Sequence, residues 1–224
     1  PHQDDAGHHG RVLRYDTKGD FADGAAWSAY DAGNTDGLIT VGYAGAVFDG
    51  RYVYFVPNHD RDGTRHGKVL QYDTAGNFTD NSSWSAYDAG NTGISTVGYA
   101  GAAFDRRYIY FATNFDGDNY HGRVLRYDTT ENFTSPESWS AYGAGNIELN
   151  TVGYRGTVFD GQYVYFVPNY NGTDYHGMVL RYDTAGKFTS SSSWSAYDAG
   201  FAGKGYQGAV YDGRYIYFAP YYDA

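Results

Sequence analysis

One phrase is written four times in this chain. It reads "HGRVLRYDT" at 9–17, "HGKVLQYDT" at 66–74, "HGRVLRYDT" at 121–129 and "HGMVLRYDT" at 176–184. Trp-Ser-Ala-Tyr begins at Trp27, Trp84, Trp139 and Trp194, in steps of 57, 55 and 55. Gly-Tyr begins at Gly42, Gly98, Gly153 and Gly205, in steps of 56, 55 and 52. Four units of about 55 residues therefore fill the chain, and a unit of that size buries its apolar face only by stacking on its neighbours.

Each unit predicts four strands. In the first complete unit these are 42–50, 51–58, 67–74 and 82–90. Asp49-Gly50 marks a tight hairpin, and Tyr52, Tyr54 and Val56 alternate with Val53 and Phe55 at the period of a strand. No segment sustains a helical period. Four-stranded antiparallel meanders repeated around an axis make a β-propeller.

The chain begins on the third strand of a unit and finishes on the first and second. The two halves add up to one blade. The expectation is an all-β, four-bladed propeller in a single domain, with blades at approximately 42–90, 98–145, 153–200, and 205–224 plus 1–33. Its ring is closed by N-terminal third and fourth strands and C-terminal first and second strands. So few blades demand small side chains at the axis, and the first strands read "GYAGA", "GYAGA", "GYRGT" and "GYQGA".

The stretch "GRYVYFVPN", followed by "GKVLQYDTAGNFTDNSSW" and a small-residue first strand, resembles a kelch repeat over essentially the whole chain. Where kelch units carry a Gly pair after the second strand, this chain has Val56-Pro57-Asn58. The blade count and tight axis are similar to hemopexin-type domains, and that likeness implies an ion in the central channel. Neither resemblance assigns an activity, because propellers host many.

Composition narrows the function. The net charge of −10 repels phosphate backbones and anionic membranes, so nucleic acid and membrane are not expected partners. There is no cysteine, which removes disulfides and thiolate chemistry. No apolar run is long enough to span a membrane as a helix. A monomer, secreted or at the cell surface, is the expectation.

The repeats separate scaffold from site. A residue present in every copy serves the blade, and a residue that departs from the pattern is free to serve a ligand. Of the 26 tyrosines, 20 occupy five recurring positions, and all four tryptophans recur. Tyr211 replaces the Phe of a first strand. The other irregular aromatics are Phe115, Tyr120, Tyr170, Tyr175, Tyr221 and Tyr222, in the loop between second and third strands, and Phe201, in a link between blades. Both connections leave the same face of a meander. His2, His8 and His59 also break the pattern in that loop. The recurring His9, His66, His121 and His176 read as hydrogen-bonded anchors of the loop.

Two further patterns bear on ligands. Asn58, Asp60 and Asp62 have the alternate-oxygen spacing of the first half of a calcium loop, and Asn114, Asp116 and Asp118 repeat it. The closing Glu is absent, with Val69 in its place, so a solvated turn competes with Ca2+. After Gly-Tyr, two units have Ala44 and Ala100 where the others have Arg155 and Gln207. With Lys204, these are expected to make a local positive spot at the axial mouth, suited to a carboxylate, a sulfate or a chloride.

The function expected is a non-enzymatic binding module for a glycan or other small polar ligand, requiring no cofactor. Exposed Tyr and Phe offer flat faces to sugar rings, and Asp and Asn accept hydroxyl hydrogen bonds. Two alternatives stand beside it. One is a protein-interaction scaffold. The other is a polysaccharide lyase drawing on His59, Tyr120, Tyr175 and Arg155, although no spacing singles out a catalytic pair.

Overall fold

The computed structural model describes residues 3–4 and 7–222. His2 and the rest of 1–2, 5–6 and 223–224, at the ends of the expected fourth unit, lie outside the described residues. Within them the chain is all-β, its only helical turns being single 3-10 turns before each Trp-Ser-Ala-Tyr strand.

Three four-stranded antiparallel meanders follow one another. The first joins Tyr43–Phe48, Tyr52–Pro57, Lys68–Asp73 and Trp84–Asp88. The second joins Tyr99–Phe104, Tyr108–Thr113, Arg123–Asp128 and Trp139–Gly143, and the third Tyr154–Phe159, Tyr163–Pro168, Met178–Asp183 and Trp194–Asp198. The expected fourth sheet is present as two separate pairs: Arg11–Tyr15 with Trp27–Asp31, and Tyr206–Tyr211 with Ile216–Pro220.

The recurring residues build these sheets and bind them together. In each hairpin an Asp carboxylate accepts backbone N–H groups and a second-strand phenol, which is buried in the first two units. Asp49 takes the Tyr54 hydroxyl at 2.8 Å, and Asp105 takes that of Tyr110 at 2.7 Å. Burial, then the carboxylate, raises both phenols far above their ordinary range, so they stay protonated donors. The Trp84, Trp139 and Trp194 indoles donate Nε1–H to the carbonyls of Phe78, Phe133 and Phe188 at 2.9 Å. Each indole is stacked by a fourth-strand Tyr of the preceding unit. Tyr30 lies on Trp84, Tyr87 on Trp139 and Tyr142 on Trp194, with centroids 5.1–5.3 Å apart. Truncating a buried indole of this kind costs about 3–5 kcal/mol.

The first strands of all four units run side by side in unit order. Their glycines permit the approach. A Cβ on Gly101 would stand 2.9 Å from the Gly156 Cα, inside van der Waals contact. A buried amide reinforces each junction. The side-chain N–H of Asn58, Asn114 and Asn169 donates to the carbonyl of Tyr99, Tyr154 and Tyr206 in the next unit.

The two terminal pairs keep apolar surface that the complete units bury. Leu13 is 56% exposed, whereas Leu70, Leu125 and Leu180 are fully buried. Phe21 is 69% exposed against 2% for Phe78. On the facing side, Tyr197, Val210 and Tyr217 are also exposed.

Candidate functional site

The site is built on the loops between second and third strands. Each loop is a small hairpin closed by one bridged residue pair: His59 with Arg65, Phe115 with Tyr120, Tyr170 with Tyr175. One member of each pair follows the buried Asn. The other precedes the recurring His-Gly.

That His holds the loop at both ring nitrogens. In His66, His121 and His176, Nδ1 accepts the backbone N–H two residues on, at 3.1–3.2 Å. Nε2–H therefore donates to the carbonyl of Val41, Val97 or Val152, at 2.9–3.0 Å. Burial lowers the pKa of all three, to about 4 for His121. These are neutral anchors. His9 repeats the Nδ1 half of the pattern, accepting from Arg11.

The Gly of Gly-Tyr seats the other loop arm. Gly98 and Gly153 have φ of +71° and +74°, where side chains are strained. A Cβ there would fall within 2 Å of the carbonyl of Phe115 or Tyr170. Gly-Tyr recurs because the backbone of a site residue rests on it.

So held, consecutive loops bring their irregular rings together. Phe115 lies 5.0 Å from Tyr120, Tyr120 5.1 Å from Tyr170, and Tyr170 5.1 Å from Tyr175. Tyr175 continues to Tyr222 at 4.5 Å and Tyr221 at 6.2 Å. Six aromatics singled out in the sequence thus form one arc across three units. An arginine stands at each end. Arg65 lies 5.4 Å from the Phe115 centroid, and Arg155 5.9 Å from that of Tyr221.

The same two arginines border a cavity of about 410 Å³. Its floor is the residue after Gly-Tyr from every unit: Ala44, Ala100, Arg155 and Gln207. His59, Arg65, Asn58 and Asn114 complete the wall. Among the described residues no carboxylate lines it. The Arg65 guanidinium donates to the Oδ1 of Asn58, whose own amide is tied to Tyr99. The Arg155 Nε is buried without a hydrogen-bond partner.

No protein-family model and no curated protein matches the chain.

Several expected members stand elsewhere. Lys204 lines a neighbouring groove of about 370 Å³ with Tyr206, Tyr221 and Tyr222, not the cavity that Arg155 and Gln207 border. Phe201 is 85% exposed and joins no ring of the arc. Nor do the oxygen-rich loops converge as a cation cage. Asn58 and Asn114 are turned inward onto the next unit. Asp116 is bound by Arg123. Although burial opposes it, the backbone N–H groups of Asn119 and Asp118 and the Arg123 guanidinium hold the Asp116 carboxyl down at about 2. Asp118 is exposed. Asp60 and Asp62 share the Thr64 N–H. Among the described residues, no group of three His, Asp or Glu is placed to hold a metal ion.

Arg65 is the member that inspection of the sequence overlooks. It precedes His-Gly, as Tyr120 and Tyr175 do, and departs from them just as they depart from the scaffold. Comparing charged residues as well as aromatics across the copies is enough to find it.

Proposed function

We propose that the chain is a non-enzymatic carbohydrate-binding module on a four-bladed propeller, closed into a ring by its terminal strand pairs. The arc from Phe115 to Tyr222 carries the reading. A run of tilted and edge-on, half-exposed rings beside a polar cavity matches a ligand with alternating apolar faces and hydroxyl edges. His66, His121 and His176 are engaged at both nitrogens and offer no free acid or base, which favours binding over turnover.

Several features support ring closure. Residues from all four units meet in one cavity. The Tyr15, Phe21 and Trp27 rings make the same cluster as Tyr72, Phe78 and Trp84, with centroid separations of 4.7–5.5 Å against 4.6–5.6 Å. In the second unit the corresponding cluster is covered by Tyr54 and Tyr87 of the first. The equivalent cover for Trp27 is Tyr165 and Tyr197, which border an apolar cavity of about 650 Å³ facing the C-terminal pair. Closure fills that cavity and pairs the strand Ile216–Pro220 with Arg11–Tyr15.

The test is titration with a panel of neutral and acidic oligosaccharides, read by intrinsic Tyr and Trp fluorescence. Saturable binding is expected, weakened about tenfold by Tyr120→Ala or Tyr175→Ala. Silence across the panel refutes the reading.

A further inference from the structure

We infer that the cavity bordered by Arg65 and Arg155 is an oxyanion subsite, in which the two guanidinium groups together take the carboxylate or sulfate of an acidic saccharide lying on the aromatic arc. This inference rests on the carbohydrate reading above and names the ligand class for the same face.

Lack of an ion pair among the described residues, together with a shared cavity, sets these two arginines apart. The chain carries a net −10. Arg51, Arg107 and Arg123 are paired with Asp73, Asp128 and Asp116. Arg126 and Arg181 donate to Ser140 and Ser195 and lie over aromatic faces. Arg65 and Arg155 belong to no ion pair among the described residues, yet they border the same cavity. Burial, and then the Arg155 charge, lower the Arg65 pKa against the opposing effect of Tyr120. Two cations facing a space that no described carboxylate lines repel each other, and a bound anion removes that cost.

The surroundings suit an oxyanion rather than a bare halide. The Asn58 and Asn114 amides are spent on the neighbouring units, which makes the wall rigid. Gln207, at the exposed mouth, brings a free amide to a second oxygen. Guanidinium forks bind carboxylate and sulfate with charge-assisted hydrogen bonds. The rings at each arginine, Phe115 and Tyr221, then lie where the sugar bearing the anion continues onto the arc.

Calorimetry on the full chain tests this. An oligogalacturonide, its neutral methyl ester, a sulfated galactan oligosaccharide and inorganic sulfate are compared at low and at physiological salt. The carboxylated or the sulfated saccharide is expected to bind at least about tenfold more tightly than the ester, with the gap narrowing in salt. Which of the two is tighter identifies the natural anion. Arg65→Gln and Arg155→Gln are each expected to collapse the gap between acid and ester. Gln207→Glu, at an exposed position that does not burden folding, collapses it as well. Equal binding of acid and ester by the wild-type chain, or a gap that survives all three substitutions, overturns the inference. Ester binding without acid preference leaves the carbohydrate reading standing and removes the subsite. Arginine-dependent sulfate binding with no saccharide bound does the reverse.

Discussion

Acidification is expected to unfold this protein through its anchoring histidines. His121 is buried, accepts the Arg123 N–H at Nδ1 and donates Nε2–H to Val97, so the folded state holds it neutral. Its pKa is lowered from 6.5 to about 4, chiefly by burial, then by Arg123. An unfolded chain takes up a proton near pH 6.5, and the folded chain refuses it until about pH 4. Stability is therefore complete above pH 6.5 and falls as pH drops through that window, by about 1.4 kcal/mol per pH unit for one such group. For His121 alone the loss between pH 6.5 and 4 comes to about 3 kcal/mol, against a typical total of about 5–15 kcal/mol. His66 and His176 are lowered in the same direction and add to the slope. The assay is urea unfolding at pH 7.5, 6.5, 5.5 and 5.0, above the range where most carboxylates titrate. His121→Gln is expected to be less stable at pH 7.5 by about 1–3 kcal/mol, because the Val97 carbonyl and the Arg123 N–H lose their partner. Its slope below pH 6.5 is expected to be shallower by about 1 kcal/mol per unit. An unchanged slope in the variant, or a wild-type chain that gains stability on acidification, refutes the reasoning.

Three other perturbations probe the frame. Gly101→Ala places a methyl against the Gly156 backbone and is expected to cost about 1–3 kcal/mol in denaturant melts, while Gly208→Ala, with open space around it, costs less. Asn114→Leu strips the Tyr154 carbonyl of its buried donor and is expected to destabilise by about 1–3 kcal/mol, with m-values showing whether cooperativity between units survives. A circular permutant joining residue 222 to residue 9 through a short linker, with new termini at 33 and 34, is expected to fold and melt no lower than the parent. If that permutant is unfolded, or still leaves Tyr217 open to labelling, ring closure falls.

Much of the frame was legible in the sequence. Strand alternation, Asp-Gly turns and small first strands depend on neighbours only a few residues away, and four copies of each removed the ambiguity of any single reading. In the three complete units most recurring Tyr, Phe and Trp pack into the cores, while Phe48, Tyr197 and, in the last unit, Tyr215 and Tyr217 stay exposed, and the departures from the repeat led to the six rings of the arc. What escaped depends on contacts between units. Asn58 looks like a cation ligand in its own loop, but its amide is used by the Tyr99 carbonyl 41 positions away. Lys204 sits one residue from Gly-Tyr, as Arg155 does on the other side, yet it opens into the next groove. Phe201 is as irregular as Tyr175 but has no bridged loop to hold it among the rings.

By itself the sequence determined the repeated units, their strand order, the small-residue first strands and the loops free to vary, since each follows from local periodicity and from comparison among copies. Only the tertiary structure decided which of those variable side chains meet. Arg65 and Arg155 come from different units and share a cavity because the first strands pack side by side on their glycines, and no spacing along the chain encodes that distance. The same packing leaves Leu13 and Tyr217 exposed on two strand pairs that come from opposite ends of the chain.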